Sequence, residues 1–473
     1  MKVLAWLVAI ALLVGVLTIG GQSVQAKNDE EEIKIKITRL KAKGWPTCGD
    51  DMPKGPAPED NAYLVIAPHI VKNRQTVEPR EPMTKNLDSD ALLEPADEAI
   101  LRKGLDLDRP VLDIVAKAFR ERKEFWVPRK WDQGFAMLLP DLAAFRGLNS
   151  ELLGEMTLMV RGGKMDEARE VLGWCHRMQK ATVQEPVFIS LIVGRGMMIQ
   201  EQRCLLRLLD QGQPVMPLLK EAFNEWSSWK HDWKPLLATE LMMGLTTARY
   251  LDSNQFWRDQ TWPWILANKD ANIERYDLKF PVGDSIPRAG GARRKLLQAL
   301  DRYLEFDQLT ASGVTAKHVS DSIAGQEQLW KDVPMFANMV VTSSSGSEPT
   351  MAAQLELVRL QPEILGCFVD ALDSNSTKGV NTAFERIRSE KALKFELEST
   401  GGKIVLTAFE GGNKVMSFKY PVDLDEKYVK FEAKRRREIK WIEELQKPAK
   451  INRAVSGNPS AGTSAPTATS AAP

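Results

Sequence analysis

Tryptophan is the residue type in this sequence whose spacing most suggests a binding site. Trp226, Trp229 and Trp233 stand at positions i, i+3 and i+7, and Trp257 follows later in the chain. Large aromatic side chains that line an exposed groove present flat apolar surfaces to sugars or peptides. The same stripe at helical spacing is also the usual pattern of a helix face buried in a core. The sequence therefore offers these four tryptophans as a possible binding surface, with core packing as the commoner alternative.

The sequence contains no spacing typical of a catalytic, metal or nucleotide site. Its four histidines, His69, His176, His231 and His318, lie far apart, and none belongs to a zinc-binding pair. No serine stands in the hydrolase elbow motif, and no glycine-rich loop has the spacing that binds phosphate or a dinucleotide. We therefore expect no catalytic residue that sequence alone can name, no metal site and no cofactor.

The cysteines are few for a chain of 473 residues: Cys48, Cys175, Cys204 and Cys367. An even number permits disulfides in an oxidising compartment. Helical periodicity places Cys175 and Cys204 on the inward faces of neighbouring helices, so we predict that these two lie close enough for a possible disulfide. Buried unpaired thiols are the alternative, because free cysteine behaves as a small apolar side chain.

The charge of the chain is balanced, since 64 lysines and arginines face 63 aspartates and glutamates. A neutral chain lacks the basic footprint of a nucleic-acid-binding protein and has no general attraction for anionic lipid. The basic run 434–437 is flanked by glutamates, which is typical of a solvated helix with internal ion pairs. We expect no nucleic-acid partner.

The first 26 residues predict export from the cytoplasm. Lys2 precedes an uncharged apolar run over residues 3–20, and Val24 and Ala26 supply small residues at the −3 and −1 positions. This is the pattern of a secretory signal peptide, with cleavage expected after Ala26. The apolar run is also near the minimum length that spans a bilayer, about 17 residues. The alternative is therefore an uncleaved membrane anchor; in both cases the remaining chain lies in the periplasm or outside the cell.

Composition and periodicity divide the rest of the sequence into four parts. Residues 27–58 contain a short strand and a linker rich in proline and glycine. Residues 59–380 show the apolar spacing of helices, broken by polar loops. Residues 381–447 contain three alternating segments followed by a charged helix. Residues 448–473 are almost entirely small or polar, which is typical of a disordered tail.

The predicted fold is mainly α: an irregular array of helical hairpins, tetratricopeptide-like in part, with a small C-terminal antiparallel β-meander. The clearest hairpin joins a helix over 141–160 to a second helix that begins at Met165, with a turn at Gly162-Gly163. The run from Gly163 to Ala168 resembles the centre of a tetratricopeptide unit. No second copy recurs at a period of about 34 residues, so we predict one such hairpin inside an irregular array.

Strands are predicted near both ends of the mature chain. Residues 33–37 alternate isoleucine with lysine, which is typical of a strand with one wet face. Residues 392–398, 403–409 and 414–420 alternate in the same way and are separated by glycine turns, as in a meander. A three-stranded sheet leaves two open edges, and we hypothesise that the strand at 33–37 pairs with one of them.

Several short motifs resemble those of a known group of proteins. They are the helix start Pro58-Glu59-Asp60-Asn61-Ala62, then Phe125-Trp126-Val127-Pro128, Leu138-Leu139-Pro140, the turn Gly163–Ala168 and Gln184-Glu185-Pro186. Over residues 56–212 the chain resembles a broad group of uncharacterised secreted bacterial α-helical proteins with a tetratricopeptide-like helix hairpin. The resemblance implies a helical fold and export, but no activity. The G-Y-P and D-P-F segments usual in that group are missing here.

We expect a non-enzymatic exported helical protein that holds a protein or polymer partner in the cell envelope. The alternative is an envelope hydrolase that acts on glycan or peptide through carboxylates in a tryptophan-lined groove. Two carboxylates with shifted pKa values in such a groove would favour the hydrolase, whereas a shallow concave surface would favour binding. The membrane is an expected partner only if residues 3–20 remain attached.

Overall fold

The computed structural model describes residues 28–75, 95–136, 139–229, 232–253, 289–309, 313–330, 351–374, 384, 387, 393–400, 403–410 and 412–420. All of them belong to one compact unit that ends at Tyr428. The predicted signal segment, Trp257, the basic run 434–437 and the predicted tail 448–473 lie outside the described residues. Among the described residues, no helix combines the length and the apolar character needed to cross a bilayer.

Eleven helices make up most of the described chain, which confirms the mainly α fold. They are α1 (28–42), α2 (Ala62–Gln75), α3 (Pro95–Glu121), α4 (Pro140–Arg161), α5 (Met165–Val183), α6 (Phe188–Asp210), α7 (Met216–Ser228), α8 (Trp233–Ser253), α9 (Ala289–Leu309), α10 (Ala316–Trp330) and α11 (Met351–Ser374). Short 3-10 turns occupy Gly49–Asp51, Pro58–Asp60 and Trp131–Ala136. The helix α3 contains Pro110 in its interior and continues through it as a single helix.

The predicted strand at residues 33–37 is wrong, because this segment lies inside α1. Ile33, Ile37 and Leu40 are spaced by four and three residues, so a helix puts all three on one face. Leu40 is fully buried and the two isoleucines are partly buried against the core, whereas Ile35 is 62% exposed. Five alternating residues are too few to separate the two periods, and the longer stripe that ends at Leu40 favours the helix.

Helix α1 and the segment after it pack against α9, not against the sheet. Lys36 forms an ion pair with Asp301, and the Tyr303 hydroxyl donates to the Pro46 carbonyl oxygen at 2.8 Å. Trp45 meets Tyr303 edge to face, with ring centroids 5.3 Å apart. The hypothesis that residues near 33–37 extend the C-terminal sheet is therefore also wrong.

The α4–α5 hairpin forms where the sequence predicts it. Gly163 has a φ of +72°, a left-handed conformation that glycine adopts without steric penalty. The Lys164 N–H then donates to the Met159 carbonyl oxygen at 2.9 Å and closes the last turn of α4. The next helix packs closely on α5, since a Cβ added at Gly194 would lie 2.5 Å from Cγ2 of Val183. Small residues at the turn and at this crossing let the three helices stack.

The C-terminal meander is confirmed. Strands β1 (Lys394–Thr400), β2 (Lys403–Glu410) and β3 (Asn413–Tyr420) form an antiparallel sheet in the order β1-β2-β3, with Leu397 opposite Leu406. Its buried side chains are those of Phe395, Ile404, Leu406, Ala408 and Phe418. They join the main hydrophobic core, where α11 contacts β2. The charged helix predicted after β3 as the cover of the sheet lies outside the described residues.

Candidate functional site

The tryptophans identified by spacing lie in the core. Trp226 is fully buried on α7, and Trp229 and Trp233 are 5% and 7% exposed at the end of α7 and the start of α8. The Trp226 indole donates to Gln179 Oε1 at 3.2 Å, and the Trp229 indole donates to Glu225 Oε1 at 2.9 Å. All three rings are therefore packed within the protein, two of them with a hydrogen bond to a neighbouring side chain, and they do not form the predicted binding surface.

Cys175 on α5 and Cys204 on α6 are both buried and are free thiols in the structure. Burial raises the pKa of the Cys175 thiol well above its usual value, with smaller contributions from the nearby Glu201 and Cys204. Thr157 Oγ1 lies 3.2 Å from Cys204 Sγ and gives that sulfur a polar contact. Both cysteines belong to the main hydrophobic core, and the structure contains no bond between them.

A cleft of about 440 Å³ lies between the loop after α1, the start of α8 and the end of α9, and we call it the Trp45 cleft. Its lining residues are Lys43, Trp45, Asp232, Lys234, Asp307, Gly313 and Val314. Ligand pockets have volumes of about 300–1,000 Å³, so the Trp45 cleft is large enough for a small ligand or part of a polymer. Two lysines and two aspartates surround one aromatic ring in this cleft.

Asp307 is held in its ionised form within the cleft. The Trp45 indole donates to Asp307 Oδ1 at 2.9 Å, and the Lys43 ammonium contacts Oδ2. Burial by itself raises the pKa of Asp307, but the hydrogen bonds from Lys43 and Trp45 outweigh burial and lower it. A lowered pKa suits a permanent anion that orders its neighbours, whereas a general acid needs a raised one.

Lys234 and Asp232 are two further exposed charges of the cleft, beside the Lys43–Asp307 ion pair. Lys234 Nζ lies 5.4 Å from the centroid of the Trp45 ring, within the range of a cation–π contact. Asp232 Oδ1 accepts the backbone N–H of Lys234 at 2.9 Å and so caps the start of α8. One cation and one anion therefore stand beside an aromatic ring, and the capping contact fixes the backbone that carries them.

A second cavity, of about 210 Å³, lies in the groove between α3 and the α4–α5 hairpin. Two ion pairs cross it: Arg109 contacts Glu155, and Arg120 donates to both oxygens of Glu170 at 2.7 and 2.9 Å. The Arg120 guanidinium also lies 5.4 Å from the centroid of Trp174. The cavity is smaller than a usual ligand pocket, and its arginines already join α3 to the hairpin, so we assign it to helix packing.

A buried polar network connects α4, α5 and α6 around Gln179. Gln179 Nε2 donates to Glu201 Oε2 at 2.7 Å and to Asn149 Oδ1 at 3.2 Å. His176 Nε2 lies 2.7 Å from Glu201 Oε1, and these four side chains are at most 4% exposed. Each polar group therefore finds a partner inside the core, as buried polar groups must.

His176 and Glu201 have the composition of an acid–base pair but lack its access to a substrate. Burial by itself lowers the pKa of His176, but the charge of Glu201 and the hydrogen bond to it outweigh burial and raise the pKa. The pair lines neither the Trp45 cleft nor the groove beside the hairpin. Its geometry supports a structural role that fixes the positions of α5 and α6.

Residues in or next to several of the short sequence motifs contact one another in the structure. Asn61 Nδ2 donates to the Trp126 carbonyl oxygen at 2.7 Å, and the Trp126 N–H donates to Asn61 Oδ1 at 2.9 Å. Arg129 donates to both oxygens of Asp141 at 2.7 and 2.8 Å and also binds Glu185. The side chains of Arg129 and its two partners are 3–8% exposed. These motifs therefore tie together the starts and ends of helices.

Comparison with protein-family models, curated proteins and solved structures gives no match. Function is therefore inferred from the Trp45 cleft and its charges. Of these two cavities, the Trp45 cleft has the larger volume, and it combines an aromatic ring with exposed charges.

Proposed function

We propose that this protein is a non-enzymatic binding or scaffold protein exported to the cell envelope, with the Trp45 cleft as its ligand site. The observation that carries this proposal is the division of charge in the cleft. Lys43 neutralises Asp307, whereas Lys234 and Asp232 remain exposed as one cation and one anion. Complementary charge selects partners more than it adds affinity, so the cleft favours a ligand that carries a carboxylate close to an amine.

A short peptide, or a glycan that bears one, has this chemistry. Its carboxylate would pair with Lys234 and its amine with Asp232, and its apolar part would lie along the edge of Trp45. Such ligands occur among envelope polymers and among protein partners. The ligand class that we propose is therefore a peptide segment with both charges.

The hydrolase alternative has one observation in its favour, because the cleft brings two carboxylates to one tryptophan. Glycoside hydrolysis by two carboxylates requires one of them to remain protonated as a general acid, with a raised pKa. Asp307 has a lowered pKa, and Asp232 accepts a helix N–H as a cap. These roles support binding over hydrolysis.

Export is proposed from the N-terminal sequence and from the resemblance of residues 56–212 to secreted bacterial proteins. Fractionation of cells that express the full chain tests it, with N-terminal sequencing of the recovered protein. The proposal predicts a periplasmic or secreted chain that begins at Lys27. Intact Met1 in the membrane fraction would support the anchor over residues 3–20, and a cytoplasmic chain would contradict export altogether.

A pull-down from envelope fractions tests the ligand site. Wild type should retain peptide-bearing material that mass spectrometry identifies, and Lys234→Ala should retain much less of it. Lys117→Ala is the matched control, because Lys117 is 73% exposed on α3 and pairs only weakly with Glu121, at 3.8 Å. Equal retention by all three proteins would show that the ligand binds elsewhere.

A further inference from the structure

Arg195 on α6 is a buried guanidinium that no carboxylate of the described residues pairs with. It is 7% exposed, and its Nε has no hydrogen-bond partner. Its terminal amino group donates instead to Met416 Sδ on β3 at 2.9 Å. Burial lowers the pKa of Arg195 to about 10. A thioether sulfur is only a weak acceptor, so this buried cation is poorly compensated.

Met416 is a partly exposed residue that also packs against the hydrophobic core. It stands on β3, which is an edge strand because it pairs only with β2 in the described sheet. Met156 and Met178, by contrast, are fully buried in the helical core. Peroxides oxidise accessible methionine to the sulfoxide, and reductases restore it. Met416 is therefore a partly exposed methionine whose sulfur contacts a buried cation.

We propose that Met416 is a reversible oxidation site and that Arg195 binds the sulfoxide it forms. A sulfur lone pair attacks one oxygen of a peroxide, the O–O bond breaks as the S–O bond forms, and proton transfer releases water. The thioether loses two electrons and the peroxide gains them. Rotation about the Cγ–Sδ bond then brings the new oxygen, a strong acceptor, to the guanidinium.

Oxidation of Met416 would have the opposite of the usual effect of methionine oxidation. A sulfoxide normally disrupts an apolar core because it introduces a polar group. Here the polar group meets a donor with unused hydrogen-bonding capacity, so oxidation strengthens the contact between α6 and β3. The C-terminal sheet would be held more firmly to the helical array under oxidising conditions.

Amide hydrogen exchange on the full chain tests the proposal, before and after hydrogen peroxide treatment. Peptide mass spectrometry should show that Met416 is oxidised before Met156 and Met178. Exchange across 413–420 should slow by roughly tenfold, the effect expected for a hydrogen bond to a charged group. Met416→Leu, treated in the same way, is the control for oxidation at other methionines, and a methionine sulfoxide reductase should restore the original rate.

Two further variants separate this effect from general damage. Met416→Gln supplies an amide oxygen without oxidant and should slow exchange in the same segment. Arg195→Met removes the guanidinium donor and keeps a long aliphatic side chain. In a chain with this substitution, neither oxidation nor Met416→Gln should slow exchange. Two results would overturn the proposal. One is faster amide exchange across 413–420 after oxidation in both the wild type and Arg195→Met, and the other is a Met416 that resists peroxide as well as Met156 does.

Discussion

Glu240 Oε1 on α8 accepts the backbone N–H of Phe188 at 3.0 Å, so a carboxyl group from one helix caps the first turn of another. The first N–H groups of a helix have no partner within it, and a side-chain acceptor satisfies one of them. Glu240 is 6% exposed, and burial raises its pKa to about 7 even though the Phe188 hydrogen bond lowers it.

The stability of the protein should therefore fall as the pH rises from about 4.5 to about 7. In this window the folded state holds a proton on Glu240 that the unfolded state has released, so raising the pH favours unfolding. The pKa difference corresponds to about 3 kcal/mol. Glu240→Gln keeps an acceptor for Phe188 but cannot ionise, and it should remove this part of the pH dependence. Urea unfolding on both sides of the window measures it; the same pH dependence in wild type and variant would refute the assignment.

Arg129→Met should destabilise the protein by about 3–5 kcal/mol, because it leaves the buried carboxylates of Asp141 and Glu185 without their cation. Arg102→Met is the control, since Arg102 pairs with Glu98 while 53% exposed and an exposed pair contributes about 1 kcal/mol or less. Chemical denaturation of both variants gives the comparison. Similar losses in the two would mean that the Arg129 cluster is not structural.

Leu40→Ala should destabilise the protein by about 2–5 kcal/mol, because Leu40 is fully buried on the inner face of α1. Ile35→Ala should change stability by less than about 0.5 kcal/mol, because Ile35 is exposed on the opposite face. A strand at 33–37 would instead put Ile35 on the same face as Ile33 and Ile37. A large loss of stability in Ile35→Ala would therefore support the strand and contradict the helix.

Cysteine labelling should distinguish the partly exposed Cys48 from the three buried cysteines. In the native protein, iodoacetamide should modify Cys48 first, because burial excludes the reagent from the others and raises the pKa of Cys175. After denaturation without reductant, all four thiols should react. Only two reactive thiols at that stage would indicate a disulfide, and Cys175 with Cys204 would be the first pair to test.

The parts of the fold that sequence predicts are those with long local periodicity. The α4–α5 hairpin rests on a stripe that persists over six turns and on two glycines, and the meander rests on three alternating segments. The strand prediction for residues 33–37 is wrong because five residues fit both the strand period and the helix period. Periodicity also identified the tryptophan stripe around Trp226, and the burial of its rings agrees with core packing, the commoner alternative for such spacing.

The Trp45 cleft could not be predicted, because its contacts join distant parts of the chain. Trp45 and Asp307 are 262 residues apart, and neither belongs to a recognisable motif. Lys234 and Asp232 are adjacent to predicted helices but look like ordinary surface charges. The same holds for Arg195 and Met416, which are 221 residues apart. Only the folded chain brings each pair together.

Calorimetric titration of a chain that begins at Lys27 with a short peptide tests the central claim most directly. The peptide carries a free carboxylate next to a free amine, and its amidated form, which lacks that carboxylate, serves as the ligand control. We predict one binding site, at least about tenfold weaker binding by Lys234→Ala, unchanged binding by Lys117→Ala, and a peptide that is recovered intact. Unchanged affinity in Lys234→Ala, or a cleaved peptide, would contradict the assignment of this cleft as a non-catalytic ligand site.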